Sequence, residues 1–283
     1  QDQQILFHIC QYKYTHMLAF ANAKINIGLN VTEKRADGYH LLETVFYPVK
    51  LYDVVEITDA KHTHCIVKGM AVPGNEADNL CLKAFDMLAK DFDLPPQQIT
   101  LLKNIPIGAG LGGGSSDAAF LLKLVNDKFK LQLSNEVLQA YARQLGADCP
   151  FFIENKPMFA RGIGDELEDL TISLEAYYLV LVKPPIHVST VNAYASIIPK
   201  KPETSLKDFI HLPVEHWKQG IKNDFEASVG KFHPEIEAIK TELYHAGAIF
   251  SLMSGSGSTV YAVFTHKVQL PSLEKKYKVF YNV

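Results

Sequence analysis

Five glycines fall within seven positions, at Gly108, Gly110, Gly112, Gly113 and Gly114, and Ser115 and Ser116 follow without a break. Glycine lets a backbone bend around a guest and turn its N–H groups inward, which makes a concave anion site. Apolar residues at helical spacing over 115–129 (Ala118, Ala119, Leu122, Val125, Phe129) predict a helix that opens where the loop ends. Its unpaired amides and positive dipole end near Ser115 and Ser116 face the same point, so the expected guest is a phosphate, most naturally of a nucleotide polyphosphate. The loop is not G-x-x-x-x-G-K-[ST], which removes P-loop lysine chemistry. Residues 108–113 do fit G-x-G-x-x-G. A dinucleotide site, however, needs an acidic residue about 20 positions on at a second strand end, where this sequence reads as helix. No H-R-D or D-F-G string follows, so a protein-kinase reading fails as well.

Four other segments carry residues able to do chemistry. Lys24 sits in Ala21-Asn-Ala-Lys-Ile-Asn-Ile27, a cation between apolar neighbours in a strand-like stretch; by itself it would be an ordinary surface lysine. Asp148 follows the helix-ending Gly146, where a turn or cap role is the simpler expectation. Tyr39 and His40 come directly after the turn signal Asp37-Gly38 and could project from a hairpin end into a cleft. Ser254-Gly-Ser-Gly-Ser258 reads equally as a tight turn or as backbone amides near a phosphate. Asn79 precedes a helical pattern and fits an N-cap as well as a contact to a base. Ser115 and Ser116 can both cap a helix and touch a phosphate or a cation; Asp117 reads as a first-turn charge favourable to the dipole. His187, His211, His216, His233 and His245 have no metal-ligand spacing.

These residues need elements to hold them. Mixed β structure over 17–31 and strand-like alternation over 41–57 predict an antiparallel opening sheet. Helices are expected at 79–92, 115–129, 135–145 (Ser134 as N-cap) and 234–245, and short strands at 98–102, 176–183 and 259–264. The proline-rich, polar segment 199–213 reads as a surface connection. A chain of 283 residues allows one large or two modest domains; a change of character near residue 155 favours two, 17–154 and 155–283. Residues 1–16 have no periodic pattern and lack the features of a secretory signal, so Met17 is the expected start of the fold and 1–16 an upstream or non-native extension.

Composition narrows the function. With 28 Lys and Arg against 31 Asp and Glu, nothing favours broad polyanion binding, so no nucleic-acid partner is expected. The longest apolar runs, such as 177–182, are far shorter than the ~20 residues of a membrane span. Cys10, Cys65, Cys81 and Cys149 are scattered without metal or disulfide spacing, which points to a reducing, cytoplasmic setting.

The glycine loop over 108–119 resembles the signature of the GHMP kinase superfamily. Ala21-Asn-Ala-Lys-Ile-Asn-Ile27 is similar to the first motif of that superfamily, and Met253-Ser-Gly-Ser-Gly-Ser-Thr-Val260 to its third. Arg35-Ala-Asp-Gly-Tyr-His40 and Leu145-Gly-Ala-Asp-Cys-Pro-Phe-Phe152 look like one branch, whose acceptor is an alcohol on a cytidyl diphosphate ester; Asn22 departs from the proline common there. The resemblance implies an α+β, two-domain GHMP kinase-like fold with the active site in the interdomain cleft. It implies ATP and Mg²⁺ as cofactors, a small-molecule substrate, and a monomer or weak homodimer, with no metal-ligating protein residue assigned. By the same resemblance Lys24 and Asp148 face the hydroxyl being phosphorylated, and Asn26 lies near the transferred group. His40 reads a cytosine edge, with Tyr39 and Tyr194 as aromatic faces. Asn79 and Lys103 lie near the adenine, and Gly108, Gly110, Gly112, Gly113, Gly114, Ser115 and Ser116 line the ATP phosphates. With a net charge near zero, attraction for two anionic substrates must be local, from Lys24, Lys103, Arg161, Lys183 and the helix end. A relative acting on mevalonate or homoserine should not need the Tyr39-His40 pair, and a binding protein that kept the fold would not need both Lys24 and Asp148.

Overall fold

The computed structural model describes residues 17–189, 193–194 and 197–283, so the expected extension over 1–16 lies outside the described residues. Two long strands, β1 (Met17–Lys34) and β2 (His40–Asp59), form an antiparallel hairpin where the alternating pattern predicts one. Then come β3 (His64–Gly69), α1 (Leu80–Phe92), β4 (Gln97–Lys103), α2 (Gly113–Phe129), α3 (Asn135–Leu145), α4 (Phe151–Glu154), β5 (Met158–Arg161) and β6 (Glu166–Asp169). One edge of β2 is paired with β1; the other is divided, its C-terminal half taking β4 and its N-terminal half β5. β3 adds to β4 in parallel and β6 to β5 antiparallel, giving a six-stranded sheet.

The second half contains β7 (Tyr178–Lys183), four helices α5 (Leu206–Phe209), α6 (Val214–Trp217), α7 (Asp224–Val229) and α8 (Glu235–His245), then β8 (Phe250–Met253), β9 (Val260–Phe264), α9 (Pro271–Glu274) and β10 (Lys278–Tyr281). Its four-stranded antiparallel sheet runs β10-β7-β9-β8. The segment 199–213 is not simply a surface connection: Leu206 and Ile210 are buried against the first sheet, because α5 plugs the space beside Gly28.

Three apolar clusters make four layers. Helices α1 to α4 cover one face of the first sheet through Phe85, Leu88, Leu122 and Phe151. On the other face, Ile25, Ile27 and Val45 meet Leu181, Phe250 and Tyr261 of the second sheet. Burying each such side chain stabilises the fold by roughly 1.5–3 kcal/mol. The far face of the second sheet, with Val180, Val260 and Phe264, is closed by Phe225 of α7 and by Ile236, Ile239 and Leu243 of α8. The two glycine loops emerge where these layers meet.

Candidate active site

Lys24 owes its direction to a register break. Between Asn22 and Ala23 the pairing with β2 shifts by two residues, Lys50 and Leu51 being extra on the partner strand. Well before the break the even positions Leu18 and Phe20 are exposed; Asn22 at the break and Lys24 and Asn26 beyond it are buried, and Ala23, Ile25 and Ile27 face the second sheet. A strand alternates faces with period two, so a bulge is the local device that turns a polar stripe inward. Lys24 Nζ lies 2.5 Å from Asn26 Oδ1, 3.3 Å from Asp148 Oδ2 and 5.0 Å from the centre of the Phe46 ring. Lys24 is nearly fully buried, whereas the Asp148 side chain keeps 35% of its surface. Asn26 Nδ2 donates to Thr44 Oγ1, which donates to the Gly28 carbonyl. Asn22, the departure from the family pattern, accepts a hydrogen bond from Asn155 Nδ2 at 2.8 Å.

The first glycine loop begins at β4 and ends in α2. Gly112 occupies the N-cap with φ +68°, so the next amides have no carbonyl ahead of them in the helix and are open to a ligand. A cleft of about 580 Å³ runs along the loop; its walls include all five glycines, Ser115, Asn79, Lys103 and Asp117. Asn79 does cap α1, its side chain accepting from Cys81 N at 2.8 Å, while still lining the cleft. Ser116 is turned away, donating to the Asn22 carbonyl, so Ser115 is the hydroxyl facing the cleft.

Lys103 is not a free cation. Its ammonium is buried between Asp53 and Asp117, 2.6 Å from the latter. Asp53 also accepts the amides of Asn104 and Ile105, at the entry to the loop. The group therefore ties the start of the loop to the first turn of α2. Burial pushes Lys103 down, yet the two carboxylates outweigh it and its pKa is raised. Burial, only partly offset by Lys103, pushes Asp117 up to about 7, since one ammonium serves two carboxylates. Neither Asp53 nor this role of Asp117 is visible in the sequence, where Asp117 reads as a helix-end charge. Of the other expected cations, Lys183 donates to the carbonyls of Pro184 and Ile186, and Arg161 is exposed with its guanidinium 6.0 Å from the Phe159 ring.

The second glycine loop meets the first. Ser254 Oγ accepts from Asn26 N at 3.1 Å and donates to the Gly110 carbonyl at 2.8 Å, while Thr259 N donates to the Ala109 carbonyl. Gly110 must be glycine: its φ is +76°, and a Cβ there would overlap the Ser254 carbonyl. A second cavity of about 220 Å³ opens here, lined by Lys24, Asn26, Asp148, Tyr194, Gly255 and Ser256 among others. Gly110 and Gly112 belong to both cavities, so the two spaces adjoin at the glycine loop.

His40, itself outside the cavity walls, stacks on Tyr194 of the wall, ring centres 4.7 Å apart at 22°, and Phe225 meets Tyr194 edge-on at 4.7 Å. Burial, then the charge of Lys34, holds His40 below the usual imidazole range. Burial, then Asp148, raises Tyr194. Tyr39, by contrast, is 63% exposed at the hairpin turn and stands outside the cavity walls. Among the described residues no three His, Cys, Asp or Glu side chains gather into a metal-binding group, and no helix is long and apolar enough to cross a membrane.

Two glycine loops joined over a lysine–carboxylate pair, between two sheets, define a small-molecule kinase of the GHMP type. The GHMP kinase N-terminal domain matches residues 79–156 and the GHMP kinase C-terminal domain residues 205–282. The 4-diphosphocytidyl-2-C-methyl-D-erythritol kinase of Bacteroides fragilis is 52% identical over 262 residues, covering 91% of this chain and 96% of its own. That of Bacteroides thetaiotaomicron is 51% identical over 93% and 98%. A crystal structure of 4-(cytidine 5'-diphospho)-2C-methyl-D-erythritol kinase superposes with a TM-score of 0.78 at 28% identity, over 94% of this chain and 98% of that one. The Methanococcus jannaschii mevalonate kinase shares the fold alone, with a TM-score of 0.69 at 14% identity over 95% and 98%. The chain belongs to the GHMP kinase family and, within it, to the 4-diphosphocytidyl-2-C-methyl-D-erythritol kinases. ATP is the phosphoryl donor of such a kinase, and the α+β, two-domain fold is the one the motifs imply.

Proposed function

We propose that the protein transfers the γ-phosphoryl group of ATP to the 2-hydroxyl of 4-diphosphocytidyl-2-C-methyl-D-erythritol, in non-mevalonate isoprenoid precursor synthesis. The nucleotide occupies the larger cleft and the acceptor the smaller cavity. The observation that carries this reading is the place of Lys24 Nζ, bridging Asn26 Oδ1 and Asp148 Oδ2 on the wall of a cavity that shares Gly110 and Gly112 with the nucleotide cleft.

An alcohol is a weak nucleophile at neutral pH, so a carboxylate within hydrogen-bond reach takes its proton as the P–O bond forms. Asp148 has the exposure for that contact. Lys24, held by Asn26 and unable to retreat into solvent, places a positive charge where negative charge develops between nucleophile and phosphoryl oxygens. The first amides of α2 hold the donor phosphates, and positioning does most of the remaining work. His40 and Tyr194, already stacked, offer a flat face and a ring edge for the cytosine.

Mg²⁺ enters with the nucleotide in this reading. The ion would be held mainly through substrate phosphates, with the Ser115 hydroxyl and the Asp148 carboxylate as the protein oxygens beside it, and the described residues offer no dedicated cage. When bound it neutralises phosphate charge. Cys65, Cys81 and Cys149 are free and buried, which supports a cytoplasmic setting.

Asp148→Asn tests the chemistry apart from binding. Removing a general base costs about 10²–10⁴-fold in turnover, so kcat should fall by that order while a non-hydrolysable ATP analogue keeps its affinity. Unchanged kcat would remove Asp148 from the chemical step.

A further inference from the structure

The segment 253–255 has an unusual number of its polar groups held, and most of the partners come from one short turn. Asn223 is 3% exposed and uses its whole side chain: Nδ2 donates to the carbonyls of Met253 at 2.7 Å and Gly255 at 2.8 Å, while Oδ1 accepts from Phe225 N at 3.0 Å. The two carbonyls flank Ser254, the residue that staples the glycine loops together. Glu226 Oε1 accepts from Met253 N at 2.8 Å, its other oxygen lying 2.8 Å from Lys240 Nζ. Asp224 Oδ2 accepts from Val31 N, which fixes the turn to β1. Phe225, between them, is the ring that backs Tyr194 and lines the acceptor cavity.

Two donors and one acceptor are needed at one buried point, a demand that Asn satisfies and Asp or Ser does not. The geometry also shows why the loop's height matters. A Cβ on Gly255 would lie 3.2 Å from Asn26 Oδ1 and 3.3 Å from Gly110, so the loop sits directly on the amide that holds Lys24.

We infer that Asn223 and Glu226 are positioning residues for phosphoryl transfer: they set the Met253–Gly255 backbone over Asn26 and Gly110 and link it, through Phe225, to the aromatic face of the acceptor site. Neither touches the reacting atoms. Their effect passes through Ser254 and Gly255 to Asn26, which holds Lys24, so it weighs on the chemical step more than on nucleotide affinity. This rests on the kinase reading above, and the wild-type assay tests that reading separately.

The experiment compares wild type with Asn223→Asp, Glu226→Gln and Glu226→Ala, each verified as folded by a cooperative thermal melt. Asn223→Asp keeps the size but loses both donors, and kcat should fall at least tenfold, with the Kd of a non-hydrolysable ATP analogue within twofold of wild type. Glu226→Gln still accepts from Met253 N and should keep kcat within threefold, while Glu226→Ala falls with Asn223→Asp. Hydrogen exchange, which needs no turnover, should quicken at residues 254–258 in Asn223→Asp and stay unchanged in β9. Should Asn223→Asp not fold, the Gln and Ala pair at position 226 decides. The inference is overturned if folded Asn223→Asp retains kcat within twofold, if Glu226→Gln is as damaged as Glu226→Ala, or if exchange rises equally throughout the second sheet. A wild type that releases no ADP would refute the kinase reading, leaving the exchange result to judge the brace alone.

Discussion

Ser254 Oγ donates a 2.8 Å hydrogen bond to the carbonyl of Gly110, 144 residues away in the chain. The same hydroxyl accepts from the amide of Asn26. One serine therefore fixes three segments against each other: the strand that carries Lys24, the first glycine loop along the larger cleft, and the second glycine loop beside the smaller cavity.

Gly110→Ala should accordingly damage both sites. The left-handed backbone costs a side chain roughly 1 kcal/mol, and the added Cβ must push the Ser254 carbonyl away. The expected result is a lower melting temperature together with a weaker Kd for a non-hydrolysable ATP analogue and a reduced kcat. Calorimetry and steady-state kinetics on the one variant check all three.

Asp117 gives the nucleotide loop a pH dependence. Its folded value is raised by burial from 3.8 to about 7, so between those values the folded chain keeps a proton that the unfolded chain has lost. The contribution is full below the unfolded value, declines as pH rises, and is gone above about 7. Asp117→Asn retains a partner for Lys103 and removes the titration. Across about pH 5 to 8, melting curves of the wild type should therefore decline relative to those of the Asn variant; parallel profiles would show that Asp117 does not titrate there.

Tyr194→Ala should act on the acceptor and spare the donor. Stacking a base on an aromatic ring contributes about 1–3 kcal/mol, equivalent to roughly a five- to 150-fold rise in KM for the cytidyl substrate. The KM for ATP should move little, because Tyr194 lines only the smaller cavity. Equal rises in both constants would mean the ring supports the fold and not the base.

Local signals in the sequence go a long way toward this fold. The opening hairpin, helices α1, α2, α3 and α8 and strands β4, β7 and β9 follow from alternation or helical spacing, with boundaries displaced by a few residues. The short edge strands β3 and β10 do not, since their pairing depends on neighbours distant in sequence, and β6, though it pairs with the adjacent β5, is too short to show an alternating pattern. The site divides the same way. The glycine loop is legible because its backbone conformation restricts residue choice, and Lys24 and Asp148 because of their motif context. Asp53, Thr44, Asn223 and Glu226 are ordinary polar residues in any local window; strand pairing within the first sheet brings Asp53 to Lys103 and Thr44 to Asn26, and tertiary packing in the second half of the chain brings Asn223 and Glu226 to the second glycine loop. Ser134 sits at the N-cap of α3 as its residue type suggests, yet makes no capping hydrogen bond from its side chain.

The most direct test of the proposed activity is ADP release by the purified protein with Mg-ATP and 4-diphosphocytidyl-2-C-methyl-D-erythritol, beside mevalonate, homoserine and a no-acceptor control. The site described here predicts turnover with the cytidyl acceptor and background rates with the other three. Comparable turnover of mevalonate or homoserine, or no ADP with any acceptor while ATP still binds, would contradict it.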